Sequence, residues 1–268
     1  MDITLAKLKK EDIPSLVQFP PKSWGFNLAA FAEENLHNKS VHFITAKYRK
    51  ELTGIGNIII NGSVGWIGNM IVVKQHQRQG IGTRIFRKLK EKGEQNKVKK
   101  FVLIATDEGF PLYIKEGFIP VGYYNFYSKP GSLPDMLTRA VKIPPEEMNE
   151  VWKLDQLITG EDRRIFLSRY ASEVWGLKNG SGLEGVYYPG YGTGSVIALN
   201  EAAGLELLLF RLQNNDLTTV IPEDNMIANR FMKTQGSEVI MQVIRMERPV
   251  SPKWNPNMIF SRGTGYAG

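Results

Sequence analysis

Gln77-Arg78-Gln79-Gly80-Ile81-Gly82 stands between the apolar run Met70 to Val73 and a helical pattern at Ile81, Ile85, Phe86 and Leu89. Strand, glycine loop and helix start in succession make a cradle for phosphate. The glycines let the main chain approach a ligand, and the first-turn amides and helix dipole put partial positive charge where a diphosphate would rest. No Lys-Ser or Lys-Thr pair follows, which excludes a kinase-type loop, and two glycines stand where a dinucleotide fingerprint requires three. A second chemical candidate is Tyr113, inside Pro111-Leu112-Tyr113-Ile114-Lys115-Glu116-Gly117-Phe118. Pro111 suits the first turn of a short helix and Gly117 its end. The phenol can serve as a proton donor or as a buried aromatic whose hydroxyl bonds a carbonyl.

Both stretches resemble the GNAT acetyltransferase superfamily. Gln77 to Gly82 fills every position of its acyl-CoA signature: Gln or Arg, two residues, Gly, one residue, Gly or Ala. Leu112 to Phe118 matches its Leu-Tyr, three residues, Gly-Phe, and the two motifs stand in the family's order. The resemblance implies acetyl-CoA as co-substrate, no metal, and direct transfer of acetyl to a primary amine of a small molecule in a ternary complex. It assigns Gln77, Arg78, Gln79, Gly80, Ile81, Gly82 and Thr83 to the donor's phosphates. The backbone amides of Ile71, Val72 and Val73 would hold the pantetheine and thioester, and Tyr113 would be the general acid.

The general base is not fixed by this reading. Where many GNAT enzymes place a carboxylate, the strand before the loop has Asn69, which cannot take the amine proton. Glu33, Glu34, Asp107, Glu108 and His76 are candidates, each also readable as a solvated polar residue, and water could relay the proton.

The elements that must position these residues follow an α+β order. A strand at Ile3 to Leu8 precedes helical stretches at Asp12 to Gln18 and Leu28 to His37. Strands at His42 to Tyr48 and Leu52 to Ile60 pair across Arg49 to Glu51, Asn61-Gly62 turns, and Gly65 to Val73 leads into the loop. A polar helix to Gly93, a strand at 101–105 and the Tyr113 helix complete the first half. Prolines and glycine at Pro130-Gly131, Pro134 and Pro144-Pro145 mark a linker. Beyond it come helices at 146–158 and 161–173, a glycine- and tyrosine-rich run at 176–194, and a strand, helix, strand, helix, strand series from Ser195 to Met246. The apolar residues of the tail, Trp254, Met258, Ile259, Phe260 and Tyr266, predict a last packed strand.

The second half repeats the later elements of the first but not their chemistry. Phe231-Met232, three residues, Gly236-Ser237 puts a thioether where the phenol stands, and Asn200-Glu201-Ala202-Ala203-Gly204 caps its helix with Asn and adds a carboxylate. Methionine donates no proton. Together with Leu154-Asp155 and Gly160 to Arg163, this resembles the degenerate domain behind an active one in a tandem GNAT family. The expected organisation is two tandem GNAT-like domains, each a mixed, mostly antiparallel sheet flanked by helices. A donor-binding catalytic domain spans 1–128, a linker 129–145, and a degenerate domain shaping the acceptor site 146–268. Glu34, Asp155, Asp162 and Arg163 are acceptor-site candidates; equally, Asp162 could cap a helix and Arg163 could tie two helices through an Asp.

Composition bounds the alternatives. The 268 residues, 42% hydrophobic, are ample for two cores, and the lack of cysteine excludes thiolate and disulfide chemistry. The net charge of +7 is concentrated in residues 1–130, with 20 Lys or Arg against 11 Asp or Glu. No base-stacking module accompanies it, so nucleic acid is not an expected partner, and a solvated helix face accounts for most of it. Lys74, Arg78 and Arg84 are near enough in sequence to meet phosphate. The N-terminus has no signal-peptide pattern and no apolar run reaches membrane length, so the expectation is a cytoplasmic protein without membrane contact, monomeric or homodimeric. The runner-up function is a CoA-binding sensor with little turnover.

Overall fold

A computed structural model describes residues 3–21, 25–180, 182–215, 217–249 and 254–266. The chain divides into two compact units that part between Leu103 and Ile104.

In the first unit, β1 (Ile3–Lys7) leads through a 3-10 helix (Lys10–Gln18) to α1 (Leu28–Asn35), then β2 (Val41–Tyr48), β3 (Glu51–Asn61) and β4 (Val64–Val72). α2 (Ile81–Gln95) follows, and β5 (Lys100–Ala105) closes the set. The strands line up β1-β2-β3-β4-β5, antiparallel at the first three joints and parallel at the last. The stretch expected as a helix at Asp12 to Gln18 is 3-10, with Pro14 inside it; proline withholds the amide a longer α-helix needs. Two turns set the register. Arg49 and Lys50 both take positive φ, 47° and 73°, as a two-residue type I′ turn requires even of residues other than glycine. At the next turn Asn61 pairs with Val64, so the turning residues are Gly62-Ser63, one position later than Asn61-Gly62.

α2 is amphipathic and buries Ile81, Ile85, Phe86, Leu89 and Gly93. It lies close on β3 because Gly54 and Gly56, two residues apart and so on one face, carry no side chain there. A Cβ at Gly54 would stand 2.9 Å from Ile85 Cδ1, and one at Gly56 would stand 2.4 Å from Met70 Sδ and 2.9 Å from Leu89 Cδ1.

The second unit holds α3 (Phe110–Lys115), β6 (Ile119–Tyr127), β7 (Val141–Lys142), α4 (Met148–Thr159) and α5 (Arg164–Leu167). It continues with β8 (Trp175–Asn179), β9 (Gly182–Tyr188), β10 (Ser195–Ala198), α6 (Glu201–Asn214), β11 (Thr219–Pro222), α7 (Met226–Thr234), β12 (Val239–Arg248) and β13 (Ile259–Ser261). β6 pairs antiparallel with β11 and β12, and a second sheet runs β13-β10-β9-β8-β7. β6 was not among the expected strands. Its pairing with β11 and β12 ties residues 119–127 to the C-terminal half across the proline-rich stretch, where the sequence reading placed a linker at 129–145. The helix expected at 161–173 is α only over Arg164–Leu167 and 3-10 over Ser168–Glu173. Among the described residues Leu207, Leu208, Tyr127, Tyr187, Ile221, Met232 and Phe260 belong to one apolar cluster, contributed by α6, α7 and the strands beside them. β13 is the packed strand expected of the tail; residues 251–253 and 267–268 of that tail lie outside the described residues.

Candidate donor-binding site

The site begins with an irregularity in β4. Ile71 pairs with Ile55 of β3, yet Gly68 pairs with Asn57, so β4 uses three steps where β3 uses two. The extra residue is a bulge, and Asn69 sits in it with φ 51°. Asn tolerates this left-handed conformation better than most residues. Its side chain donates to Asn57 Oδ1 at 2.8 Å, pinning the bulge to the neighbouring strand. The pattern of alternating side chains is blind to such an insertion, so neither Asn57 nor the bulge was anticipated; Asn69 had been noted only for not being an acid.

Past the bulge the antiparallel ladder decides which amides are available. Val73 N–H donates to Thr53 O at 2.9 Å, and by alternation Ile71 also faces β3. Val72 therefore points its N–H and C=O away from β3, and Gln77 Nε2 donates to that carbonyl at 3.1 Å. The parallel register to β5 covers only Val64 to Trp66, while β4 runs on to Val72. Of the three amides expected to hold the thioester, those of Val73 and Ile71 serve the ladder, and Val72 alone is turned toward the open side.

The glycine loop follows as a short 3-10 turn (Lys74–His76), then Gln77, Arg78 and Gln79, all exposed. Arg78 at φ 58° and Gly80 at φ 78° bend the chain into the start of α2. Gly80 is the N-cap and no side chain caps it. The first helical bond runs from Arg84 N–H to Gly80 O, so the amides of Ile81, Gly82 and Thr83 have no partner within the helix. A Cβ at Gly80 would meet nothing within 4 Å, and one at Gly82 only Val72 Cγ2 at 3.8 Å. The space above the loop is open, no acidic residue stands in the first turn, and fifteen residues of helix dipole point into it. Arg84 is spent elsewhere, its Nη2 donating to Ile3 O at 2.8 Å, whereas Lys74 and Arg78 remain exposed beside the loop. Of the base candidates, His76 packs at a tilt against Tyr48, the ring centroids 5.7 Å apart and the planes inclined by 58°, and Glu33 and Glu34 lie exposed on α1.

In the second unit Tyr113 is buried at 6% exposure on α3. Its ring packs over Gly109, where a Cβ would stand 2.8 Å from Cε2, and lies 6.4 Å from the ring of Phe118. Gly117, at φ 83°, ends the helix, and Phe118 N–H closes it onto Tyr113 O at 2.9 Å. Burial pushes the phenol up to about 12, so it stays protonated throughout the neutral range. Asp107 and Glu108 are exposed in the loop before it.

The corresponding helix start of the second unit is closed. Asn200 caps α6 by accepting from Ala203 N–H at 2.9 Å while donating to Glu184, Glu201 adds a second carboxylate, and the Phe260 ring fills the space over Gly204, where a Cβ would stand at 2.1 Å. Met232 is fully buried core. Asp155 and Arg163 are spent on one another: Arg163 Nη2 donates to Asp155 Oδ2 at 2.6 Å and Nε to Oδ1 at 2.9 Å, with both side chains 2% exposed. Burial works against the guanidinium's charge, but the Asp155 carboxylate outweighs it and holds the arginine protonated. Asp162 instead grips Arg164 at the surface, 2.6 Å apart, and that bond holds its carboxyl below the usual range. Asp155 and Arg163 thus form the arginine–aspartate pair that the sequence offered as an alternative, whereas Asp162 pairs with Arg164 and caps no helix, the N-cap of α5 being Arg163. Among the described residues no cluster of acids and histidines is arranged to hold a metal.

Residues 14–129 match the family model for an acetyltransferase (GNAT) domain. This segment is a GNAT domain. It contains both the glycine loop and Tyr113, and it ends at Lys129. The sequence is 30% identical over 86 residues to the uncharacterized N-acetyltransferase YobR of Bacillus subtilis (strain 168), a match covering 31% of this chain and 35% of that protein. The fold as a whole is similar to that of a provisionally named acetyltransferase from Pyrococcus horikoshii, with a TM-score of 0.83 and 24% identity over 99% of this chain and 96% of that one. A GCN5-related N-acetyltransferase from Anabaena variabilis gives a TM-score of 0.63 and 11% identity, covering 93% and 73% of the two chains. The GNAT domain is thus followed by further structure shared with proteins of that fold. No helix among the described residues is long and apolar enough to cross a membrane.

Proposed function

We propose that the chain is an acetyl-CoA-dependent N-acetyltransferase that acts on a primary amine of a small molecule, with donor binding in residues 1–128 and a C-terminal domain, 146–268, that has given up donor binding. The observation that carries this reading is the contrast between the two helix starts: α2 is uncapped, open and free of acid, whereas α6 is capped, acidic and filled by Phe260. The first-turn amides of α2, with Gln77 to Thr83, take the donor's diphosphate. The outward Val72 N–H bonds the thioester oxygen and stabilises the oxyanion that forms as the amine attacks. The C–N bond forms, the C–S bond breaks, and Tyr113 hydrogen-bonds the departing sulfur. The proton lost by the amine is carried by water, in the absence of a carboxylate at Asn69, to the freed thiolate, so that the amine's N–H becomes the thiol's S–H and Tyr113 keeps its own proton. The reading extends to a chain that works as a monomer or homodimer in the cytoplasm, without nucleic acid or membrane partners.

Calorimetric titration with acetyl-CoA, followed by thiol release across a panel of small amines, tests this. Saturable binding with turnover on at least one amine is expected; no binding would refute it. Asn69 in place of an acid favours a second reading, a CoA-binding sensor, for which binding without turnover on any amine is the signature.

A further inference from the structure

β3 is apolar where it crosses the first sheet: Ile55, Ile58 and Ile59 are fully buried, and Gly54 and Gly56 lie under α2. Asn57 interrupts that run and is itself fully buried. It stands on the face away from α2, opposite Phe43 of β2, whose ring packs edge-on against Phe31 of α1. Its Nδ2 has no hydrogen-bond partner among the described residues, so the carboxamide weakens the core in which it sits. Its Oδ1 accepts from Asn69 Nδ2 at 2.8 Å, and that bond lies at the point where the register of β4 changes. Opposite Asn57 stands Gly68, which has no side chain, and Asn69 reaches across in its place. Without the extra residue, the register that pairs Asn57 with Gly68 would carry on to pair Val72 with Thr53. Thr53 O faces β4 and takes the N–H of Val73. In the unbulged register the same carbonyl would take Val72 N–H, and Ile71 and Val73 would turn outward instead.

We infer that Asn57 is a positioning residue: by fixing Asn69 in its left-handed conformation it holds the bulge, and so decides that Val72, rather than either neighbour, offers its N–H to the donor's thioester. The use of that amide rests on the acetyl transfer proposed above; its orientation rests on the ladder alone. Asn57 is fully buried and acts only through Asn69. The bulge requires Asn69 to hold φ 51°, a conformation that asparagine tolerates and the bond to Asn57 secures. A branched aliphatic residue would suit a buried strand position such as 57 better than a carboxamide does. What the carboxamide supplies there is the acceptor, and with it the choice of outward amide.

The test compares Asn57→Val and Asn69→Ala, singly and together, in the full chain. Valine fills a buried strand position without an acceptor. Alanine removes the bond from its other end and disfavours positive φ, so it decides the matter should the valine variant fail to fold. Amide hydrogen exchange without donor, followed by NMR, reads the orientation. In wild type Val72 is expected to exchange about two orders of magnitude faster than Val73, and in each variant Val72 becomes the more protected of the two. On an amine that turns over, kcat is expected to fall about ten- to a thousandfold in each variant, up to the cost of one lost oxyanion donor. Acetyl-CoA affinity should stay within about twofold, because the diphosphate rests on α2. The double variant should be no worse than the worse single one, since both remove the same bond. Val72 exchange unchanged in the variants, kcat losses that multiply in the double variant, or a kcat loss with Val72 still unprotected would each overturn the inference. Val72 gaining protection in the variants while wild type acetylates no amine would support the positioning and refute the acetyl transfer.

Discussion

Replacing Tyr113 by Phe isolates one atom. The ring that packs over Gly109 and against Phe118 is kept, so the helix and its glycine end should stand, and only the hydroxyl is lost. With the phenol at about 12 and a thiol near 8.5, complete proton transfer even to the freed thiolate would be uphill by about 3.5 units, or roughly 5 kcal/mol. The role that fits is a hydrogen bond to sulfur that strengthens as charge grows there, worth about 1.5–3 kcal/mol for a charged acceptor. At 1.4 kcal/mol per decade, kcat should fall about 10- to 150-fold in the variant. Donor affinity measured by calorimetry should stay within about twofold, because ground-state sulfur carries little charge. The phenol's elevation adds a second check: the wild-type pH profile should show no falling limb from Tyr113 near 10, because the group ionises only about two units higher. A kcat equal to wild type on an amine that turns over would remove Tyr113 from the mechanism. A phenol limb near 10 would refute the burial argument behind it.

Other outcomes follow from the geometry. Gly82→Glu adds a side chain where there is room for it but sets a carboxylate at the diphosphate, so the variant should melt like wild type and lose acetyl-CoA binding in calorimetry. Asp155→Ala leaves Arg163 buried without its carboxylate and should cost about 3–5 kcal/mol in a urea unfolding series, a loss too large for a surface pair. Asn200→Ala removes the cap of α6 and should cost about 1 kcal/mol in the same assay while leaving donor affinity unchanged; a change in donor affinity would contradict the assignment of a closed helix start in the second unit.

Local chemistry was what the sequence disclosed best. The glycine loop, the α2 stripe and the Tyr113 helix were legible because each depends on residues adjacent in the chain, and the family match over 14–129 agrees with that reading. Long-range pairing was not legible. β6 carries no alternation strong enough to be seen, yet it holds β11 and β12 through pairs such as Phe126 with Val220 and Met241. Which amide faces outward on β4 turns on one inserted residue at Asn69, and a pattern of period two cannot reveal its own interruption. Asp155 and Arg163 show the opposite limit: the charges were visible, but whether they face a ligand or each other is decided only by burial.

The bare patch on β3 has one more consequence. Gly54 and Gly56 let α2 settle onto the sheet, and the same helix presents the amides proposed to grip the donor. A single methyl at Gly56 would act as a shim, tilting or lifting the whole rod and moving its business end without altering any group that meets the ligand. Grip strength in such a molecule is adjustable from its interior, so variation at a position remote from the cradle can retune affinity as effectively as a change within it.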